Sequence, residues 1–198
     1  MNKNTAPKHL LAITLSLTIF INLCHAQGKM TECSFGIGAL RAINKIQINP
    51  GTKLRSYTGK SFSAEWLYNT ENMPVFCIRT SANYISTFVQ RKNFKINTPR
   101  ISWYSIQAGP SCCLATFDNY RIGGQLLAGG AYLPYSEKNG YFFGKCFGVN
   151  LSTSVFIERD FSGFIVLKAY EFLEGLFYDK SCHHVISSTM GLSVSLAF

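Results

Sequence analysis

The stretch 101–130, ISWYSIQAGPSCCLATFDNYRIGGQLLAGG, carries the strongest structural signals in the chain. The residues at its start, RISWYSI at 100–106, are rich in aromatic and β-branched side chains, which favour strands. GGQLLAGGAYL at 123–133 predicts a second strand. Between them, Cys112 and Cys113 are neighbours in sequence. The stretch therefore predicts two strands that flank a loop with two cysteines.

A disulfide between Cys112 and Cys113 would close a strained ring, because it forces their shared peptide bond away from its relaxed trans form. We therefore expect each cysteine to pair elsewhere. The chain has seven cysteines. In an oxidising compartment, the six that follow residue 26 predict up to three disulfides. These disulfide candidates are Cys33, Cys77, Cys112, Cys113, Cys146 and Cys182.

The first residues predict an export signal. Lys3 and Lys8 precede the apolar run LLAITLSLTIFINL at 10–23, which is too short to span a bilayer and suits a signal-peptide core. A small residue, Ala26, stands at the expected cut. We predict a signal peptide at 1–26 and one domain at 27–198, and we expect no membrane span. Cleavage before Cys24 is the alternative, with Leu23 at a position that favours a small residue.

Further strand signals lie at 34–48, 63–69, 75–80, 84–90 and 141–147, and Asn139–Gly140 predicts a turn before the last of these. At 164–182 the pattern changes. Ile165, Ala169, Phe172 and Leu176 fall at helical spacing, and Lys168, Glu171 and Glu174 share the polar side. The pattern predicts one helix that packs on a β-barrel.

The chain has a formal net charge of +9, which favours acidic glycans or matrix proteins as partners of an exported protein over nucleic acid. The densest basic cluster, RKNFK at 91–95, makes Arg91, Lys92 and Lys95 candidates for glycan binding. Asn150 begins an N-glycosylation sequon. No catalytic motif or zinc-ligand spacing is recognisable, so we predict neither an enzyme nor a cofactor.

The stretch 101–130 resembles the netrin-like (NTR) module of the tissue inhibitors of metalloproteinases. In that family, a strand of the type I-x-F leads to a loop cysteine, and a strand of the type Y-L-[IV]-A-G follows. Here Ile101–Trp103, Cys113 and LLAG at 126–129 occupy these places, and the resemblance extends over 33–182. It implies a β-rich fold, an OB-fold-like five-stranded barrel with a packed C-terminal helix.

The resemblance also implies roles for individual residues. It pairs Cys33 with Cys182, and it places the inhibitory edge at the N-terminus and the loop, with Cys24, Ser111, Cys113 and Leu114 as candidates. In the family, the amine and carbonyl of the first cysteine bind the zinc of the protease. This chain has Ala26 where the family has its second cysteine. A cut after Ala26 would therefore remove the N-terminal segment that binds the zinc in the family.

Two functions follow. The first is a secreted, extracellular inhibitor of zinc metalloproteinases. The alternative is a non-inhibitory module that binds extracellular matrix or glycosaminoglycans through its basic surface. A secreted enzyme is the least supported, because no catalytic constellation is visible.

Overall fold

The computed structural model describes residues 31–44, 46–49, 52–70, 73–91, 94–97, 100–134, 136–138, 141–143, 146–161, 165–178 and 183–197. The predicted signal peptide, with Cys24, lies outside these residues. So does the turn predicted at Asn139–Gly140.

Every regular element in the described part of the chain is a β-strand. Their bounds are β1 Thr31–Ala42, β2 Ile46–Asn49, β3 Thr52–Ser56, β4 Gly59–Thr70, β5 Met73–Ile85, β6 Thr87–Arg91, β7 Phe94–Asn97, β8 Ile101–Phe117, β9 Tyr120–Leu133, β10 Ser136–Lys138, β11 Tyr141–Phe143, β12 Cys146–Asp160, β13 Ile165–Tyr178 and β14 His183–Ala197.

Eight long strands form one closed antiparallel barrel in the order β1-β14-β13-β12-β9-β8-β5-β4. The first and last strands close it, since Cys33 pairs with Leu196 and Arg41 with Ser188. The prediction of an OB-like barrel is therefore wrong in strand number and in topology. The six short strands lie in the connections, where β2, β3, β6 and β7 form one small sheet and β10 and β11 form another.

The predicted C-terminal helix is also wrong, because residues 165–178 form strand β13. Its side chains alternate between the exterior and the interior along the whole strand. Ile165 and Ala169 fit a helical spacing, but Lys168 and Glu174 lie inside the barrel, fully buried. The prediction failed because it placed the charged side chains in solvent.

Most of the predicted strands are confirmed. Residues 63–69 lie in β4, 75–80 in β5, 101–106 in β8 and 123–133 in β9. The segment predicted at 84–90 divides at Ser86 between β5 and β6. The loop predicted around Cys112 and Cys113 is strand as well, because β8 continues to Phe117 and turns into β9 within two residues.

The two ends of the barrel differ. At one end, the connections between strands are two to four residues long, at 71–72, 118–119 and 161–164. Asp118 has a positive φ of 47° in the second of these, as tight hairpin turns require. At the other end, the connections 43–58, 86–100 and 134–145 contain the strands of the small sheets. The fourth connection at this end, 179–182, joins β13 to β14. We call these the short-turn end and the long-connection end.

An apolar cluster fills the barrel at the long-connection end. Its members come from the ends of six barrel strands and from the connection after β1: Leu40, Ala42, Ile46, Ile85, Ile101, Trp103, Ala131, Leu133, Leu176, Tyr178 and Val185. Leu40, Trp103 and Leu176 have no exposed surface. This cluster closes the barrel below the long connections.

Candidate functional site

The outer wall of the barrel is apolar. On every long strand, the outward residues alternate with buried ones, and most of them are aliphatic or aromatic. The band continues through the middle of the barrel, where Ile37, Ile106, Leu126, Val155, Met190 and Leu192 are each between 56% and 67% exposed. An apolar surface that encircles a protein is not stable against water.

Aromatic side chains cluster on the outer wall at both ends. At the long-connection end, Tyr84 and Tyr104 pack edge to face, and Tyr132 packs on Phe147. At the short-turn end, the guanidinium of Arg159 lies over the rings of Tyr120 and Phe161.

The apolar band between the two aromatic ends has the height of a bilayer core. Tyr120 and Tyr132 are twelve residues apart along β9. At about 3.3 Å per residue and a tilt of about 40°, they stand about 30 Å apart along the barrel axis.

The interior is polar and charged. Lys168 Nζ lies 2.6 Å from Glu65 Oε2 and 4.0 Å from Glu158 Oε1. Arg79 lies between Glu65 and Glu174, with nitrogens 3.6 and 3.7 Å from their carboxylate oxygens. The ammonium of Lys168 and the guanidinium of Arg79 also face the rings of Phe156 and Phe172. Buried charges of both signs are thus paired across the barrel.

The charge network reaches solvent at the short-turn end. Arg121 Nη2 lies 3.1 Å from both Glu32 Oε1 and Glu158 Oε2, and its side chain is 35% exposed. Toward the other end, the network stops at Glu174. The Oε1 atom of Glu174 accepts hydrogen bonds from Trp103 Nε1 at 2.9 Å and Asn150 Nδ2 at 2.7 Å. Trp103 belongs to the apolar cluster, so charge and apolar packing meet there.

Inside the barrel, a large side chain of β13 lies over small residues of the neighbouring strands β14 and β1. A Cβ at Gly36 would lie 2.9 Å from Tyr170 Oη, and one at Gly191 would lie 2.6 Å from Tyr170 Cζ. The ring of Tyr170 therefore rests on the backbone of β1 and β14. An eight-stranded barrel is just narrow enough for side chains to fill it in this way.

The predicted disulfide cysteines do not come together in the described residues. Cys77 is inside the barrel, where Gln125 Nε2 lies 3.6 Å from its sulfur. Cys112 and Cys113 are exposed near the short-turn end. Cys77, Cys112 and Cys113 form no disulfide. Cys33 is buried on β1. Cys182 and the side chain of Cys146 lie outside the described residues, so the wider disulfide map stays a prediction.

The residues predicted for an inhibitory edge do not form one. Ser111 is buried inside β8, whereas Leu114 is exposed on the same strand. Asn150 is buried and bonded to Glu174, so the folded barrel leaves no room for a glycan on its side chain. Of the basic candidates, Arg91 and Lys95 lie in the β6–β7 hairpin at the long-connection end. Their side chains and Lys92 lie outside the described residues.

The residues that matter most in this structure were missed by the sequence reasoning. Glu65, Arg79, Lys168 and Glu174 form the centre of the interior network. The available signal was the alternation in β12, where Asn150, Ser152, Ser154 and Glu158 are buried and Val149, Leu151, Val155 and Ile157 are exposed.

Comparison with known proteins gives the same architecture. No family model and no curated protein matches the chain. Among solved structures, Ail, the attachment invasion locus protein of Yersinia pestis, in complex with the heparin analogue sucrose octasulfate, has a TM-score of 0.52 at 18% identity, over 86% of this chain and 99% of that one. Neisserial surface protein A has a TM-score of 0.52 at 14% identity, over 87% and 98%. At these identities the likeness shows the fold alone.

These findings overturn the resemblance to metalloproteinase inhibitors. The netrin-like module, the inhibitory function, the glycosaminoglycan-binding module and a freely secreted protein without a membrane span were all wrong. The reason is physical, because a soluble domain does not surround a charged interior with an apolar wall. In the part of this chain that the structure describes, no helix is long and apolar enough to cross a membrane.

Proposed function

We propose that the chain is an integral membrane β-barrel of the outer-membrane type. The observation that carries this proposal is the outer wall, an apolar band about 30 Å high with aromatic residues at both ends. A closed barrel also pairs the backbone groups of all its long strands, as the hydrocarbon core of a bilayer requires. The predicted signal peptide supports export toward such a membrane.

The barrel is a scaffold and does not act as a pore. Its interior is filled by the charge network, by Tyr170 and by the apolar cluster under the long connections. Within the described residues, no group of three or more His, Cys, Asp or Glu side chains could hold a metal ion. A non-enzymatic role is also part of the proposal.

The working part of this scaffold is the long-connection end. Outer-membrane barrels have short periplasmic turns and longer extracellular loops. By that rule, the β2–β3, β6–β7 and β10–β11 hairpins lie outside the cell and the short turns face the periplasm. The barrel then anchors and displays these hairpins at the outer surface.

The two tryptophans provide a direct test. Trp66 lies on the outer wall of β4, and Trp103 is fully buried inside the barrel. After refolding into vesicles, the Trp103→Phe variant should lose fluorescence when the lipid acyl chains carry bromine, because its remaining Trp66 contacts them. The Trp66→Phe variant should respond weakly to brominated lipid and to iodide in the water. A folded barrel whose Trp66 ignores brominated lipid would refute membrane insertion.

The absence of a pore is tested separately. Purified barrel in a planar bilayer should give no stepwise ion conductance. Stable conductance steps from the wild-type protein would refute the filled interior while leaving membrane insertion intact.

A further inference from the structure

One charged side chain lies on the apolar outer wall at its middle. Glu171 is exposed on β13, six residues from Ile165 and seven from Tyr178. Its strand partners are Val155 on β12 and Met190 on β14, which are 61% and 62% exposed. In the membrane position proposed above, this carboxylate would face lipid tails at the centre of the bilayer.

The barrel itself satisfies this carboxylate only in part. Ser188 Oγ donates to Glu171 Oε1 at 3.1 Å, and it is the one hydrogen-bond partner that the described residues supply. Ionisable groups inside a membrane are costly, and they usually face protein or water instead of lipid. The position of Glu171 therefore points to a protein contact at this depth.

The neighbouring strand supplies a matching donor. Thr153 is exposed on β12, seven residues from each end of the strand, and therefore lies at the same depth as Glu171. It pairs with Leu173, two positions from Glu171, so the two Cα atoms are diagonal neighbours about 7–8 Å apart. Within the described residues, the Thr153 hydroxyl has no hydrogen-bond partner.

We propose that this face, with Glu171 and Thr153 at its centre, binds a second copy of the same chain. The two copies are related by a two-fold axis that is parallel to the barrel axis and passes between Glu171 and Thr153 at the surface. This axis places each Glu171 carboxylate against the Thr153 hydroxyl of the other copy. Two-fold interfaces are self-complementary, so both hydrogen bonds form at once. Copies inserted in the same direction match in depth automatically. Another partner would have to supply both a donor and an acceptor at this height.

The surroundings suit such a contact. Leu151 and Leu173 lie on the long-connection side of the pair, and Val155 lies on the other side, all at least 45% exposed. Ala169 and Gly175 on β13 are small outward residues, which permit close approach. The inference rests on the proposed membrane insertion, because only lipid makes the lone carboxylate costly.

The test is sedimentation equilibrium of the purified, refolded barrel in detergent micelles, after tryptophan quenching has established insertion in vesicles. We expect the wild type to dimerise. Glu171→Leu and Thr153→Val should each weaken the dimer about tenfold or more, because each removes both symmetric hydrogen bonds. Glu171→Gln keeps an acceptor and should stay within about threefold of the wild type.

Thr80→Val is the matched control. Thr80 is an exposed threonine near the middle of β5, on the opposite wall, and its hydroxyl lies 3.5 Å from the Ala64 carbonyl oxygen. Its replacement should leave dimerisation unchanged. An inserted wild-type barrel that stays monomeric overturns the inference, even if another membrane protein is captured at position 171. So does a dimer that is insensitive to Glu171→Leu and Thr153→Val. Failure of insertion itself counts against the proposed function.

Discussion

Replacing Lys168 by Met should destabilise the barrel strongly. Lys168 is fully buried and donates a 2.6 Å hydrogen bond to Glu65, with Glu158 at 4.0 Å. Removing one partner of a buried ion pair typically costs about 3–5 kcal/mol, because the other charge stays buried.

The structure places the cost at the lower limit of that range. Glu65 retains Arg79 at 3.6 Å, and Glu158 retains Arg121 at 3.1 Å. We therefore expect Lys168→Met to lower the free energy of unfolding by about 3 kcal/mol. The double variant Glu65→Leu with Lys168→Met removes both charges, and it should recover at least about 2 kcal/mol of that loss.

The assay is urea unfolding of the barrel in phospholipid vesicles, followed by the fluorescence of Trp103 in a Trp66→Phe background. Lys60→Met is the control, because Lys60 is exposed on β4 near the long-connection end, where a charge change should cost about 1 kcal/mol or less. A Lys168→Met loss below about 1 kcal/mol would contradict the reasoning. So would a double variant no more stable than the single one.

Three further outcomes follow from the same structure. Leu126→Arg, at mid-height on the outer wall, should cost about 2–4 kcal/mol in vesicles, whereas Phe147→Arg at the rim should cost about 1 kcal/mol or less; equal losses in urea unfolding would contradict the depth of the band. A membrane-permeant maleimide should label Cys113 and leave Cys77 unmodified until urea unfolds the barrel, which mass spectrometry of peptides would show. Gly129→Val should prevent folding, because a Cβ there collides with a backbone carbonyl of β8; a native circular dichroism spectrum would refute this.

Local strand propensity was readable from the sequence. The aromatic and β-branched runs at 63–69, 75–80 and 101–106 are strands because such side chains fit a pleated surface on either face. The quoted stretch 101–130 is indeed a pair of strands, β8 and β9. Strand propensity does not determine how many strands a barrel has. The same residues were therefore also compatible with the five-stranded barrel that the resemblance implied.

The sequence did not show which face of each strand lies inside the barrel. Polar side chains are usually expected on the outside of a protein, whereas here they line the interior. Lys168 was assigned to the polar side of a helix and Glu65 and Arg79 were given no role, yet the three are buried beside one another from three different strands. Their pairing depends on long-range register, which no local pattern encodes. Glu171 shows the opposite case, a charged residue that lies outside and was assigned to the polar side of a helix.

The seam between β1 and β14 has a consequence for biogenesis. Its pairs, such as Glu32 with Ala197, join residues near opposite ends of the described chain. Until the last strand arrives, a growing sheet exposes two unpaired edges, each with a row of open amide and carbonyl groups. Such edges are unstable in hydrocarbon, and in water they pair with the edges of other chains. Closure is therefore a single late event, and an unclosed chain would need protection from other chains until the ring is complete.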